Sequence, residues 1–210
     1  MAKPYHRTER EALSDLFLEL GPAAPTLCEG WATADLAAHL VLREGHPFAA
    51  LGIWVKALSA RADRVQNAIR DQTPWPDLVE LVRRGPPLWS PLRPPALDRA
   101  ANTIEFYIHH EDARRGQPGW QPRSFDADLE DALWAARRIS RMHARSLPVG
   151  IVLRWPGHDD FVAKAQTPSA TVIGPPSELL LFTSGRRAAS RVSLEGDPQA
   201  LAQLGVAPAN

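Results

Sequence analysis

Apolar residues recur at helical spacing through the first two-thirds of the chain and at strand-like spacing after it. In RTEREALSDLFLELG, Leu13, Leu16, Phe17 and Leu20 fall on one face, and Gly21 marks the stop. TADLAAHLVLREGH predicts a second helix with Thr33 as N-cap and Asp35 in the first turn, where a carboxylate suits the helix dipole. Its apolar face carries Leu36, His39, Leu40 and, further along, Phe48. PWPDLVELVRRG predicts a short helix opening near Pro76, and LDRAANTIEFYIHHEDARRG a longer one ending at Gly116. DADLEDALWAARRISRMHARSL reads as another, with Leu129, Leu133, Ala136, Ile139 and Met142 on its buried side.

The texture changes after Pro148. GIVLRW, FVAKA and ATVIG are short β-branched runs separated by turn residues, which predicts a small sheet. PPSELLLFTSGR follows as a helix with Pro at its start, RVSLEG as a strand and DPQALAQLG as a terminal helix. The pattern predicts an α+β chain. Residues 1–147 form an antiparallel bundle of about four main helices with a further linking helix, and residues 148–210 a small α/β domain.

Composition sharpens the boundaries. The chain has 20 prolines in 210 residues, against an average of about 5%. They cluster at Pro74 and Pro76, from Pro86 to Pro95, at Pro118 and Pro122, and at Pro175 and Pro176, each cluster marking a connection. With 24 basic and 24 acidic side chains the chain is formally neutral, so it lacks the long-range field that attracts nucleic acid or an anionic membrane. The single cysteine, Cys28, excludes an internal disulfide and fits a reducing compartment. MAKPYHRTER has no apolar stretch of the kind a secretory signal needs, and no apolar run reaches the ~20 residues that span a bilayer. The expected location is the cytoplasm.

Glu105 and His109 are four apart, so on a helix they project from one face, among Ile104, Phe106 and Ile108. A bare carboxylate in that setting costs several kcal/mol unless it is paired or holds a metal. His39, on a face of leucines and alanines, supplies a third donor from another helix. A His/Glu/His set with an open position is what a catalytic zinc site uses. The same residues also suit a histidine hydrogen-bonded in the core and a glutamate paired with an arginine. His110 projects about 100° away from His109 and reads as a neighbour of the set or a surface residue. His46, two turns beyond His39, is an alternative ligand. Glu111, Asp112, Arg114 and Arg115 read as a solvated helix end. Cys28 reads as a packed thiol, with a fourth ligand or nucleophile as the alternative. Arg186 and Arg187 are candidates for holding an anionic group. No Gly-rich phosphate loop, Ser-His-Asp spacing or CxxC pair is present.

CEGWATADLAAHL (Cys28 to Leu40), EFYIHHEDARR (Glu105 to Arg115) and GPPSELLLFTSGR (Gly174 to Arg186) occur in that order. Together they resemble the mycothiol-dependent maleylpyruvate isomerase family of the DinB-like metal-binding superfamily. The resemblance covers nearly the whole chain. It implies a DinB-like four-helix bundle, a C-terminal domain of sterol-carrier-like topology, and metal ligands at His39, Glu105 and His109. It also implies a divalent metal, with zinc suited to two nitrogens and one oxygen, and mycothiol as a thiol cofactor. Arg186 is a candidate contact for such a cofactor from its own chemistry, not from the resemblance. The implied activity is a thiol-dependent isomerase or transferase for a small electrophile. The Pro-rich link from Pro86 to Pro95 departs from the isomerase, so maleylpyruvate is not carried over as substrate, and no catalytic residue is assigned. The alternatives are a non-catalytic, metal-stabilised ligand-binding module and a metal-assisted hydrolase.

Overall fold

The computed structural model describes residues 3–205; Met1 and Ala2 of the opening MAKPYHRTER lie outside them. The chain divides into two compact units, on either side of the Pro122/Arg123 junction.

Among the described residues the first unit holds six α-helices, with a 3-10 turn at Lys56–Leu58: α1 (Tyr5–Leu20), α2 (Thr33–Gly45), α3 (Pro47–Trp54), α4 (Ser59–Gln72), α5 (Trp75–Arg84) and α6 (Pro95–Arg115). Its core joins Leu13 and Phe17 of α1, Leu36, Ala37, Ala38 and Leu40 of α2, Leu78, Val79 and Val82 of α5, and Phe106 and Ala113 of α6. On α1 and α5 these fall at the i, i+3 or i+4 positions of an amphipathic face, while α2 contributes consecutive residues, and their burial is the main favourable term for the unit. The N-cap of α2 is Ala32 rather than Thr33, because Asp35 reaches back to accept the Ala32 N–H at 2.9 Å. The helix stops at Gly45, one residue before His46, and Pro47 opens α3 on a new axis. Phe48 is therefore not on the buried face of α2; it is 75% exposed. The hydrophobic pattern assigns no element between 49 and 72. Helix α3 is apolar at nearly every position and so shows no contrasting face, while α4 carries a narrow one, Ala62, Val65 and Ile69, of which only Ala62 is fully buried.

The second unit contains α7 (Ala127–Ala135), α8 (Ser140–His143), β1 (Gly150–Arg154), β2 (Phe161–Lys164), β3 (Ser169–Ile173), α9 (Pro176–Thr183), β4 (Ser193–Gly196) and α10 (Pro198–Gln203). The sheet order is β2-β1-β3-β4, with β1 parallel to β3 and the other two pairings antiparallel. Helix α9 is buried along its whole length. Together the units make a mixed α+β chain with a small four-stranded sheet.

Two sequence expectations change here. The long helix over 126–147 is broken into α7, α8 and short 3-10 turns, and the buried face passes from Leu129, Leu133 and Trp134 to Ser140 and Ala144, leaving Ala136, Ile139 and Met142 half-buried. The linking segment also groups with the sheet, so the units part at Pro122/Arg123 instead of 147/148. The cause is packing. Trp134 and Leu147 belong to the core of the sheet, and Glu130 on α7 accepts hydrogen bonds from the Ser177 N–H and hydroxyl of α9 at 2.9 and 2.7 Å.

Candidate metal centre

His39 on α2 and Glu105 and His109 on α6 converge inside the first unit. One donor atom from each lies within 4.8 Å of the others. Glu105 Oε1 sits 3.2 Å from His109 Nε2 and 3.5 Å from His39 Nε2. The imidazoles meet edge to face with centroids 5.3 Å apart, and Trp31 packs on the other side of His39 at 5.1 Å. Both histidines are buried; the Glu105 side chain keeps 21% of its surface open.

The separations suit a metal. Bonds of about 2.0–2.1 Å at tetrahedral angles place neighbouring donors about 3.4 Å apart. The donor chemistry, two neutral imidazoles and a carboxylate, also matches a zinc-type set. Three donors leave coordination positions for a small molecule.

The second nitrogen of His109 is committed elsewhere. Nδ1 donates to Asp112 Oδ2 at 2.8 Å, and the Cys28 thiol donates to the same oxygen at 3.2 Å. Asp112 is one turn along α6 and fully buried. Its carboxylate selects the tautomer that leaves Nε2 facing Glu105, the arrangement by which outer carboxylates orient metal-binding histidines. Cys28 arrives on the loop before α2, which lies directly on the end of α6. The Leu27 N–H bonds to Asp112 O at 3.1 Å, and a Cβ at Gly116 would stand 2.6 Å from Pro25 O. Cys28 is half-buried, and with His109 and Asp112 it forms a second group of clustered donors on the other side of the imidazole.

Electrostatics ties the cluster together. Burial pushes the Glu105 carboxyl up, but hydrogen bonds from His109 and His39 and the charge of Arg43, whose Nε lies 3.3 Å away, outweigh it and hold it well below the usual range. Burial pushes His109 down, yet Asp112, Cys28 and Glu105 together raise it well above an ordinary histidine. For His39 burial prevails and lowers the pKa, keeping that ring neutral.

The remaining sequence candidates lie elsewhere. His110 is neither on the surface nor beside the cluster; it is buried toward α1 and pairs with Glu9 Oε2 at 2.8 Å. His46 caps α3 and is exposed. Arg186 lies in the second unit and donates to Ser184 O at 2.5 Å. Glu111 and Asp112 are not a solvated helix end. Both are fully buried, Glu111 against Arg115 and Asp112 against His109. Asp112 is the functional candidate that sequence reasoning missed; its one signal was its position three residues after His109. Arg43 was also missed, since nothing on α2 announces its reach to α6.

No protein-family model and no curated protein matches the sequence. Solved structures match at the level of the fold. One is the mycothiol-dependent maleylpyruvate isomerase, at 15% identity, covering 92% of this chain and 91% of that one with a TM-score of 0.57. Another is a point mutant of that isomerase, at 16% identity with the same coverage and a TM-score of 0.52. At such identity the likeness concerns architecture, and over nearly its whole length this chain is folded like the mycothiol-dependent maleylpyruvate isomerase.

Proposed function

We propose that the protein binds a divalent metal, zinc in the first instance, through His39, Glu105 and His109, and uses a thiol cofactor such as mycothiol in an isomerase or transferase reaction on a small electrophile. The observation that carries this reading is the spacing of the three donor atoms, with His109 already oriented by Asp112. A bound cation would lower the pKa of a coordinating thiol and so supply a nucleophile near neutral pH. The chain's own residues prepare the place. Asp112 fixes the His109 tautomer, Trp31 walls off one side of His39, and Arg43 adds its charge to the hydrogen bonds from His109 and His39 that hold Glu105 ionised. The fold likeness to a mycothiol-dependent enzyme supports the choice of cofactor.

A second reading has its own support. Arg43 and the raised His109 already compensate Glu105, which suits a structural polar cluster in a non-catalytic module. Metal analysis followed by calorimetric titration of mycothiol separates the two. Under the enzyme reading the thiol releases close to one proton per site when it binds metal-loaded protein, seen by comparing buffers of different ionisation enthalpy. An analogue with oxygen in place of sulfur binds far more weakly. Equal binding of both compounds, or binding that survives metal removal, selects the module.

A further inference from the structure

We propose that the cavity bounded by the first turn of α1, the 85–93 segment and the first turn of α6 binds a small dianion, a dicarboxylate or a phosphate monoester. Its volume, about 720 Å³, suits a compact metabolite. Five arginines line it, Arg7, Arg10, Arg83, Arg84 and Arg93, against Glu11 and Asp98. Three of the five are already committed. Arg10 is held by Glu44 and Asp98, Arg83 by Glu11 and Asp15, and Arg84 by Glu80. Those pairings use both carboxylates of the lining and leave two guanidinium groups over. The Arg7 side chain has no hydrogen-bond or ion-pair partner among the described residues. Arg93 makes a single bond, from Nη1 to Pro86 O at 3.0 Å. Both are solvent-exposed, and each offers a planar fork matched to two oxygens of an acid group. Two guanidinium forks without a carboxylate partner at one cavity, Arg7 and Arg93, offer a ligand with two acid charges two ion-pair partners.

His6 does not line the cavity but lies beside Asp98, which does. His6 is 3% exposed, neither ring nitrogen has a hydrogen bond, and Nε2 lies 3.5 Å from Asp98 Oδ2. Burial lowers its pKa, and Arg7, Arg10 and Arg99 push in the same direction against Asp98. The wall is pre-formed. Gly85, at φ +73°, leaves space for the Arg10 guanidinium, whose Cζ would lie 3.1 Å from a Cβ there, and Arg10 is pinned to Val82 O at 3.0 Å. None of the cavity's residues belongs to either cluster of metal-donor side chains. The site therefore stands whether or not the metal reading does.

Calorimetric titration of inorganic phosphate and of succinate into the full chain, at low ionic strength, tests it. The titration is run on chelator-treated and on zinc-loaded protein. The expected result is saturable binding of at least one anion, with the same affinity in both preparations. Phosphate alone identifies a phosphate-ester site, and succinate alone a dicarboxylate site. Arg7→Gln and Arg93→Gln should each weaken binding about tenfold or more, while Arg138→Gln, an equal charge loss in the second unit, should leave it unchanged. Absence of saturable binding, equal weakening in all three variants, or binding only with zinc present overturns the proposal.

Discussion

At His109 the two ring nitrogens have different partners: Nδ1 faces Asp112 and Nε2 faces Glu105. That division makes the cluster testable one atom at a time. His39→Ala, Glu105→Ala and His109→Ala should each lose most bound metal by elemental analysis, while His46→Ala and His110→Ala keep it. Greater loss from His110→Ala than from His109→Ala would sink the assignment. Asp112→Asn keeps the shape but weakens the hydrogen bond that sets the tautomer, so zinc affinity measured against a competing chelator should fall about 10–100-fold. Unchanged affinity would show that Asp112 does not orient the ring. The sign of the pH dependence also follows from these residues. In metal-free protein, stability from His109 is fully present below 6.5 and fades as pH rises through its raised folded value. Stability from Glu105 is present above 4.5 and fades as pH falls through its depressed value. A metal must displace the His109 proton, so apparent affinity should drop about tenfold per pH unit below that raised value. An affinity that stays flat from mildly alkaline to mildly acidic pH would contradict a protonated His109.

Between elements, a buried ionic network ties α1, α2 and α6 together. Arg10 of α1 meets both oxygens of Glu44 of α2 at 2.6 and 2.7 Å, and its guanidinium lies 4.1 Å above the Phe106 ring of α6. Asn102 donates to Glu44 and to Asp98, and Arg43 bridges Asn102 to Glu105. The candidate metal cluster is therefore one end of a longer chain of charged groups. Burial raises the Glu44 pKa more than Arg10 lowers it, which shows how much desolvation the pair carries. Removing one partner leaves the other charge buried alone. Glu44→Ala should cost about 3–5 kcal/mol in urea denaturation; a loss below about 1 kcal/mol would mean that the network is solvated and weak. The network also places polar groups on the inner side of α1 that its amphipathic pattern does not announce. Its inward face carries His6, Glu9, Arg10 and Ser14 beside Leu13 and Phe17, and no periodicity of apolar residues reveals polar groups whose partners lie on other helices.

At the scale of the whole molecule there are two cores with no residue in common, one centred on Phe17, Leu36 and Phe106 and the other on Ile151, Val172 and Leu179. Leu153→Ala should destabilise the second unit by about 2–5 kcal/mol and leave metal stoichiometry unchanged. Metal loss in that variant would mean that the donor cluster depends on the sheet. Among the described residues no helix is long and apolar enough to cross a membrane.

The sequence by itself determined the elements whose hydrophobic period is clean. Helices α1 and α5 follow from spacing, because each repeats a buried apolar face at the helical period, and β-branched runs between turn residues announce the strands. Helices α2 and α6 were legible from composition and end signals, although α6 is buried at nearly every position from Phe106 to Arg115. It also singled out Glu105 and His109, since a four-residue separation fixes a shared face whatever surrounds the helix. His39 stood out as a third donor on the apolar face of another helix, and the resemblance named the same residue, but only packing could bring that helix alongside. Tertiary structure decided the rest. Asp112 and Glu111 looked like a charged helix end because Arg114 and Arg115 follow them; the loop over 25–28 covers that end and buries both carboxylates. Helix α7 joined the sheet because Trp134 fills its core. Arg43, Arg7 and Arg93 acquired their meaning from which carboxylates lie within reach in space. Local periodicity records which face of an element is dry, but the partner of a charge is set by distances across the fold, and those exist only once the chain has packed.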